Sequence, residues 1–364
     1  MPKPTQEAKD RLDFIIRISR LDFCKPIQVA EVLYHSRMGD DLSPLKLETY
    51  RDLSLRWRDA VTSRLSRKPL TSLSHYQHEI WNLHSIPPAT LKVLDQVNKR
   101  TAGAVERYIY MRYRERQRMV RTILAELKTA KPETFHISSF LESFHHSELK
   151  AELDRIYKIV VRSLITMIIE VIPAFKVRVV ISSPSKSRAY SNEFPALIRL
   201  LLGLDADNLT WEQPAHIYRV GVTNAADRGL DMWANFGPAV QVKHLTLNEN
   251  LANEIIDQVE CDHIVIVCRD AEAGVIQTVV RQIGWGRRVR GIVKESDLIE
   301  WYERCLRGKF KNRLAPALLE RLTLGFKAEF PQTRALAEFL EERGYAAMTP
   351  PADWKTETDK ALSE

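Results

Sequence analysis

Gly229-Leu230-Asp231-Met232-Trp233-Ala234-Asn235-Phe236-Gly237-Pro238-Ala239-Val240-Gln241-Val242-Lys243 is the stretch on which the reading of the fold turns. Phe236-Gly237-Pro238 is a turn signal between two runs of strand-forming residues, so the segment is expected to fold back as a hairpin. A turn centred near Phe236-Gly237 sets Asp231 opposite Val242 and Lys243. Side chains alternate along a strand, so Gln241 and Lys243 share one face while Val240 and Val242 take the other. A carboxylate, an amide oxygen and an ammonium then converge at the base of the hairpin. Those groups are the minimum for metal-assisted phosphodiester hydrolysis. A surface hairpin with ordinary polar residues would have the same spacing.

The 364 residues suffice for two or three domains with proper cores. The longest apolar run, Ile159 to Ile172, contains Arg162 and Glu170 and stops at Pro173, short of the about 20 residues of a membrane span. Met1 to Asp13 mixes acidic and basic residues with no apolar signal region, so export is not expected. Cys24, Cys261, Cys268 and Cys305 lack metal-site spacing and read as reduced, mostly buried thiols of a cytoplasmic protein. The net charge of +7 is uneven. Residues 51–130 hold 16 Lys/Arg against 7 Asp/Glu, and the flanking regions are neutral or slightly acidic. Such asymmetry points to a polyanion-binding surface, although a solvated basic helix face would carry the same charge.

Residues 6–20, 26–36 and Leu47 to Leu65 read as helices, the second opened by Pro26. A short helix, a Gly-Asp loop and a basic helix could form a helix-turn-helix. A further helical region starts at Pro87-Pro88 and runs on as Val105 to Leu127, where arginines alternate with Tyr108, Tyr110 and Tyr113. Ala130-Lys131-Pro132 marks the expected boundary: residues 1–131 form a helical, basic domain, 132–310 an α/β core, and 311–364 a helical extension packed on that core. In the core, a helix from Glu148 to about Val171 precedes Lys176 to Ile181, a β-branched run read as a buried strand. Glu193 to Leu202 is a helix whose apolar face should pack under the sheet. Strands follow near 216–222, 229–235, 239–246, His263 to Cys268 and Val289 to Val293. The helices among them lie at Asn248 or Asn250 to Val259, 272–283 and 297–307. The order predicts an α/β fold with a mixed central sheet.

Glu193-Phe194-Pro195-Ala196-Leu197-Ile198, Gly229-Leu230-Asp231 and Gln241-Val242-Lys243 resemble the PD-(D/E)XK nuclease core in its Gln-x-Lys variant. Lys25 to Leu33 and Arg228 to Leu245 more specifically resemble the HaeII-type family of type II restriction endonucleases, a likeness that runs from about residue 10 to 345. It implies a Mg²⁺ site made by Asp231, the Gln241 side-chain oxygen and the Val242 carbonyl, with Lys243 orienting the attacking water or meeting transition-state charge. Gln241 stands where the broader nuclease pattern has a second carboxylate, which weakens metal binding, and Glu193 is the candidate to restore the charge. His244 falls on the face opposite Lys243 and reads as packing or DNA contact. Asp227 reads as a turn residue or an accessory ligand, and His145-His146 as a polar loop.

The resemblance further implies sequence-specific cleavage of double-stranded DNA to 5′-phosphate ends, by a homodimer on a palindromic site, with host DNA protected by a cognate methyltransferase. Candidate DNA contacts are Arg51, Arg56, Arg58, Arg64, Arg67, Lys68, Arg112, Arg114, Arg116 and Arg118. The rival readings are a DNA-binding regulator built on an inactive nuclease fold, and a repair or junction nuclease.

Overall fold

In a computed structural model the described residues are 2–39, 47–66, 86–145, 147–171, 175–180, 193–202, 210–220, 230–281, 288–330, 333 and 335–361. They separate into two compact units: Met1–Ile156 with Leu322–Glu364, and Tyr157–Arg321.

The first unit is helical. Lys3–Ile18, Cys24–Met38, Leu47–Ser66, Pro88–Arg100 and Ala104–Thr129 pack around a shared apolar cluster that includes Leu12, Ile15, Phe23, Ile27, Leu33, Leu91, Leu94 and Ile109. Each such side chain, fully buried, contributes roughly 1.5–3 kcal/mol of hydrophobic stabilisation. Pro88 begins its helix where a missing N–H costs nothing, and Thr129 ends the longest helix just before Ala130-Lys131-Pro132. The segment Asp40 to Lys46, where a helix-turn-helix loop would fall, lies outside the described residues.

Leu336, Phe339, Leu340, Tyr345 and Trp354 belong to this same cluster. The expected packing of the C-terminal extension on the sheet is therefore corrected for these residues. The cause is aromatic complementarity across a long stretch of chain. Tyr110 lies 4.8 Å from Phe339 and 5.7 Å from Tyr345, and Tyr108 lies edge-on to Trp354 at 5.5 Å. Polar links accompany it. Arg107 forks onto Asp359 at 2.6 and 2.8 Å, the Tyr345 hydroxyl donates to Glu106, and Arg343 donates to Glu31. Glu31 sits in the Lys25 to Leu33 block and also accepts from the Tyr110 hydroxyl, so that part of the resemblance falls on a buried structural carboxylate.

The second unit carries a five-stranded mixed sheet. β1 (Lys176–Val180) and β2 (Thr210–Pro214) form a separate antiparallel ribbon. β3 (Ile217–Arg219), β4 (Met232–Ala234) and β5 (Pro238–Val242) are antiparallel, and β5 continues in parallel to β7 (His263–Cys268) and β9 (Val289–Lys294). β6 (Thr246–Leu247) and β8 (Asp270–Ala271) add a short parallel pair. Helix Glu249–Gln258, capped by the Asn248 side chain at 2.9 Å, links β6 to β7. Its Ala252, Ile255 and Ile256 cover Ala239, Ile264 and Ile266 together with Val275 of helix Ala273–Arg281.

The mixed sheet flanked by helices agrees with the expectation, and two packing details do not. β1 is not a buried strand, because among the described residues it pairs with β2 alone in a two-stranded ribbon and leaves Val180 63% exposed. Phe194, Leu197 and Leu200, at and within helix Pro195–Leu202, are exposed rather than packed under the sheet.

Candidate active site

The hairpin forms where the turn signal puts it. Gly237 has φ 117°, a conformation that a residue with a Cβ rarely adopts, and its N–H donates to Ala234 at 3.0 Å. Met232 pairs with Val240 and Trp233 with Ala239. Carried one residue further, this register sets Asp231 across from Gln241, one position earlier than the turn alone suggested. The β3–β4 ladder also reaches that far, since Val220 N–H donates to the Asp231 carbonyl at 3.1 Å.

The Asp231 carboxylate is engaged at both oxygens. Oδ2 accepts from Val242 N–H at 2.8 Å, and Oδ1 is 2.7 Å from the Lys158 ammonium. The pair is largely shielded, with side-chain exposures of 11% for Asp231 and 21% for Lys158. Gln241 is buried, and its Oε1 has no hydrogen-bond partner among the described residues. Lys243 N–H donates to Val267 at 2.8 Å, which ties the end of β5 to β7 and leaves the Lys243 side chain half-buried. The hairpin thus joins Asp231 to Val242 directly and draws Gln241 alongside.

Glu193 is exposed, and Asp227 and His146 lie outside the described residues. Among the described residues, no group of three or more His, Cys, Asp or Glu could hold a metal. Among the described residues, a divalent cation here would have one carboxylate, an amide oxygen and the Val242 carbonyl to rest on. The buried, unpartnered Gln241 oxygen fits such a role, because leaving it unsatisfied costs free energy that a cation would recover. An all-oxygen set with a single charge suits Mg²⁺, which prefers hard donors and retains several waters.

Lys158 was not foreseen from the sequence. The signal for it was a lone cation among Ile156, Tyr157, Ile159, Val160 and Val161, all buried in helix Leu153–Val171.

The basic stretch divides into exposed and internal side chains. Arg56, Arg114 and Arg118 are exposed. Arg116 is 2% exposed, and its guanidinium donates to the carbonyls of Ser19 at 2.5 Å and Ile16 at 2.6 Å, satisfying the end of helix Lys3–Ile18. Arg58 is buried against Asp59, Arg112 pairs with Glu148 at 2.8 Å, and Arg64 forks onto Glu342. As DNA contacts Arg58 and Arg116 are therefore corrected, since a guanidinium inside the helical unit cannot reach a phosphate without breaking it. The side chain of Arg51, and Arg67 and Lys68 altogether, lie outside the described residues.

With this geometry in place, the kinship of the chain is direct. It belongs to the HaeII restriction endonuclease family, whose profile matches residues 8–345. The chain is 40% identical over 343 residues to the type II restriction enzyme HaeII of Haemophilus aegyptius, covering 93% of this chain and 97% of that protein. It is 41% identical over 344 residues to the type II restriction enzyme NgoBI of Neisseria gonorrhoeae, with the same coverage. No solved structure gives a significant match. Among the described residues, no helix is long and apolar enough to cross a membrane.

Proposed function

We propose that this chain is a type II restriction endonuclease with a PD-(D/E)XK core, hydrolysing double-stranded DNA at a specific sequence with Mg²⁺ and leaving 5′-phosphate ends. The observation that carries the reading is the 2.8 Å bond from Val242 N–H to Asp231, found in a chain of this family. It sets a carboxylate beside the Gln-x-Lys segment on the central strand of the mixed sheet.

Asp231, Gln241 Oε1 and the Val242 carbonyl would hold the ion. Bound there, Mg²⁺ supplies Lewis acidity toward the scissile phosphate. Lys243, two residues beyond Gln241, orients the attacking water or donates to a phosphoryl oxygen as negative charge accumulates. Glu193 would add the second negative charge that Gln241 lacks, which requires its helix to approach the hairpin in the DNA complex.

Arg56, Arg114 and Arg118, which are exposed, would meet phosphates, with base reading left to a few bidentate contacts. A palindromic target would be met by a symmetric homodimer. A cognate methyltransferase would protect host DNA in the same cytoplasm.

The test is digestion of plasmid DNA in Mg²⁺ or EDTA by wild type, Asp231→Ala and Lys243→Ala, followed by sequencing of the product ends. Discrete Mg²⁺-dependent fragments with 5′-phosphates, lost in both variants, are expected. Cutting that persists in the variants removes the site assignment. DNA retention without any cutting by wild type points instead to a non-catalytic regulator.

A further inference from the structure

We infer that Lys158, paired with Asp231 Oδ1, acts through that carboxylate as a competitor of the divalent ion. The inference rests on the reading of Asp231 as a metal ligand. The two oxygens of Asp231 are held differently. Oδ2 is fixed by the backbone N–H of Val242, part of the sheet framework, whereas Oδ1 meets a flexible four-carbon side chain at 2.7 Å. The ammonium is delivered from an apolar helix turn, between buried Tyr157 and Ile159, into a largely shielded position. There it neutralises the carboxylate that the hairpin register sets across from Gln241.

A metal ion needs the same Oδ1 lone pairs, so ammonium and ion exclude one another at that atom. When the ion enters, Lys158 withdraws and its charge becomes available to the phosphate backbone. Lys158 thus sets the threshold concentration for loading, while Val242 N–H keeps Asp231 in place.

Competition of this kind lowers apparent affinity by the fraction of time the site is free. If the ion pair is closed for about four-fifths to nine-tenths of the time, removing the ammonium tightens metal binding by about five- to tenfold. The experiment is titration of the DNA-free protein with Mn²⁺, followed by calorimetry and water-proton relaxation, for wild type, Lys158→Met, Lys158→Arg and Asp231→Asn. Lys158→Gln serves as a second neutral variant should the Met form fail to fold. Tighter binding in the neutral variants, with Lys158→Arg no tighter than wild type, is expected. Unchanged or weaker Mn²⁺ binding in the neutral variants overturns the inference. Wild-type Mn²⁺ affinity in Asp231→Asn overturns instead the metal reading beneath it.

Discussion

Replacing Gln241 by Met separates stability from metal binding. Gln241 is 2% exposed and its Oε1 lacks a partner. A buried acceptor left unsatisfied costs about 1–3 kcal/mol. Met keeps the unbranched length and fills nearly the same volume without a polar atom. Some of the gain is returned by whatever the amide nitrogen donates to. The net expectation is about 1 kcal/mol of stabilisation without metal, or a rise in Tm of about 2–4 °C for a unit the size of Tyr157–Arg321. Saturating Mg²⁺ should reverse the order, because binding at a hundred times Kd stabilises wild type by about 2.7 kcal/mol and the variant by less. Differential scanning fluorimetry in EDTA and in rising Mg²⁺ follows both effects. A Gln241→Met protein that melts lower than wild type in EDTA would falsify the unsatisfied-oxygen assignment. An equal Mg²⁺ response in the two proteins would show that Gln241 is no ligand.

Three further predictions concern the helical unit. Arg116→Met should destabilise the protein by about 3 kcal/mol in urea unfolding, because the carbonyls of Ser19, Ile16 and Arg17 all lose the guanidinium. Arg114→Ala and Arg118→Ala should stay within about 0.5 kcal/mol of wild type, yet weaken DNA retention and flatten its salt dependence; unaltered retention would remove them from the interface. Asp359 provides a pH test. Burial alone would raise its pKa, but Arg107 and the Thr356 N–H and hydroxyl hold it down at about 2, from 3.8. A depressed carboxylate stabilises above its unfolded pKa, so this contribution should be fully present above about pH 5 and fade as pH falls from about 4 toward 2. The Tm gap between wild type and Asp359→Asn should narrow below pH 4, and a constant gap across pH 7 to 3 contradicts the assignment.

Local signals in the sequence were sufficient wherever a local cause made the structure. Phe236-Gly237-Pro238 announced the turn because only glycine tolerates φ 117° there. Asn248 announced a helix start because its side chain caps Leu251 N–H. What was misread depends on distant partners. A β-branched run looks alike in a central strand and in a ribbon, so Lys176–Val180 passed for core. Arginine counts gave the charge of the basic stretch but not its direction, and Arg116 and Arg58 turned inward to carbonyls and to Asp59. Lys158 lies 73 residues before Asp231 and shares no motif with it, so only the fold brings them together.

The helical unit is completed by residues that the ribosome adds only after all of Tyr157–Arg321 has been made. Arg107 waits 252 positions for Asp359, and Tyr108 waits for Trp354. During synthesis the basic helices are therefore left with an open apolar seam, while the sheet bearing Asp231 can already close on itself. A nascent chain of this design can close its sheet before its helical unit, and nonsense truncation ahead of Trp354 would leave that unit permanently unfinished.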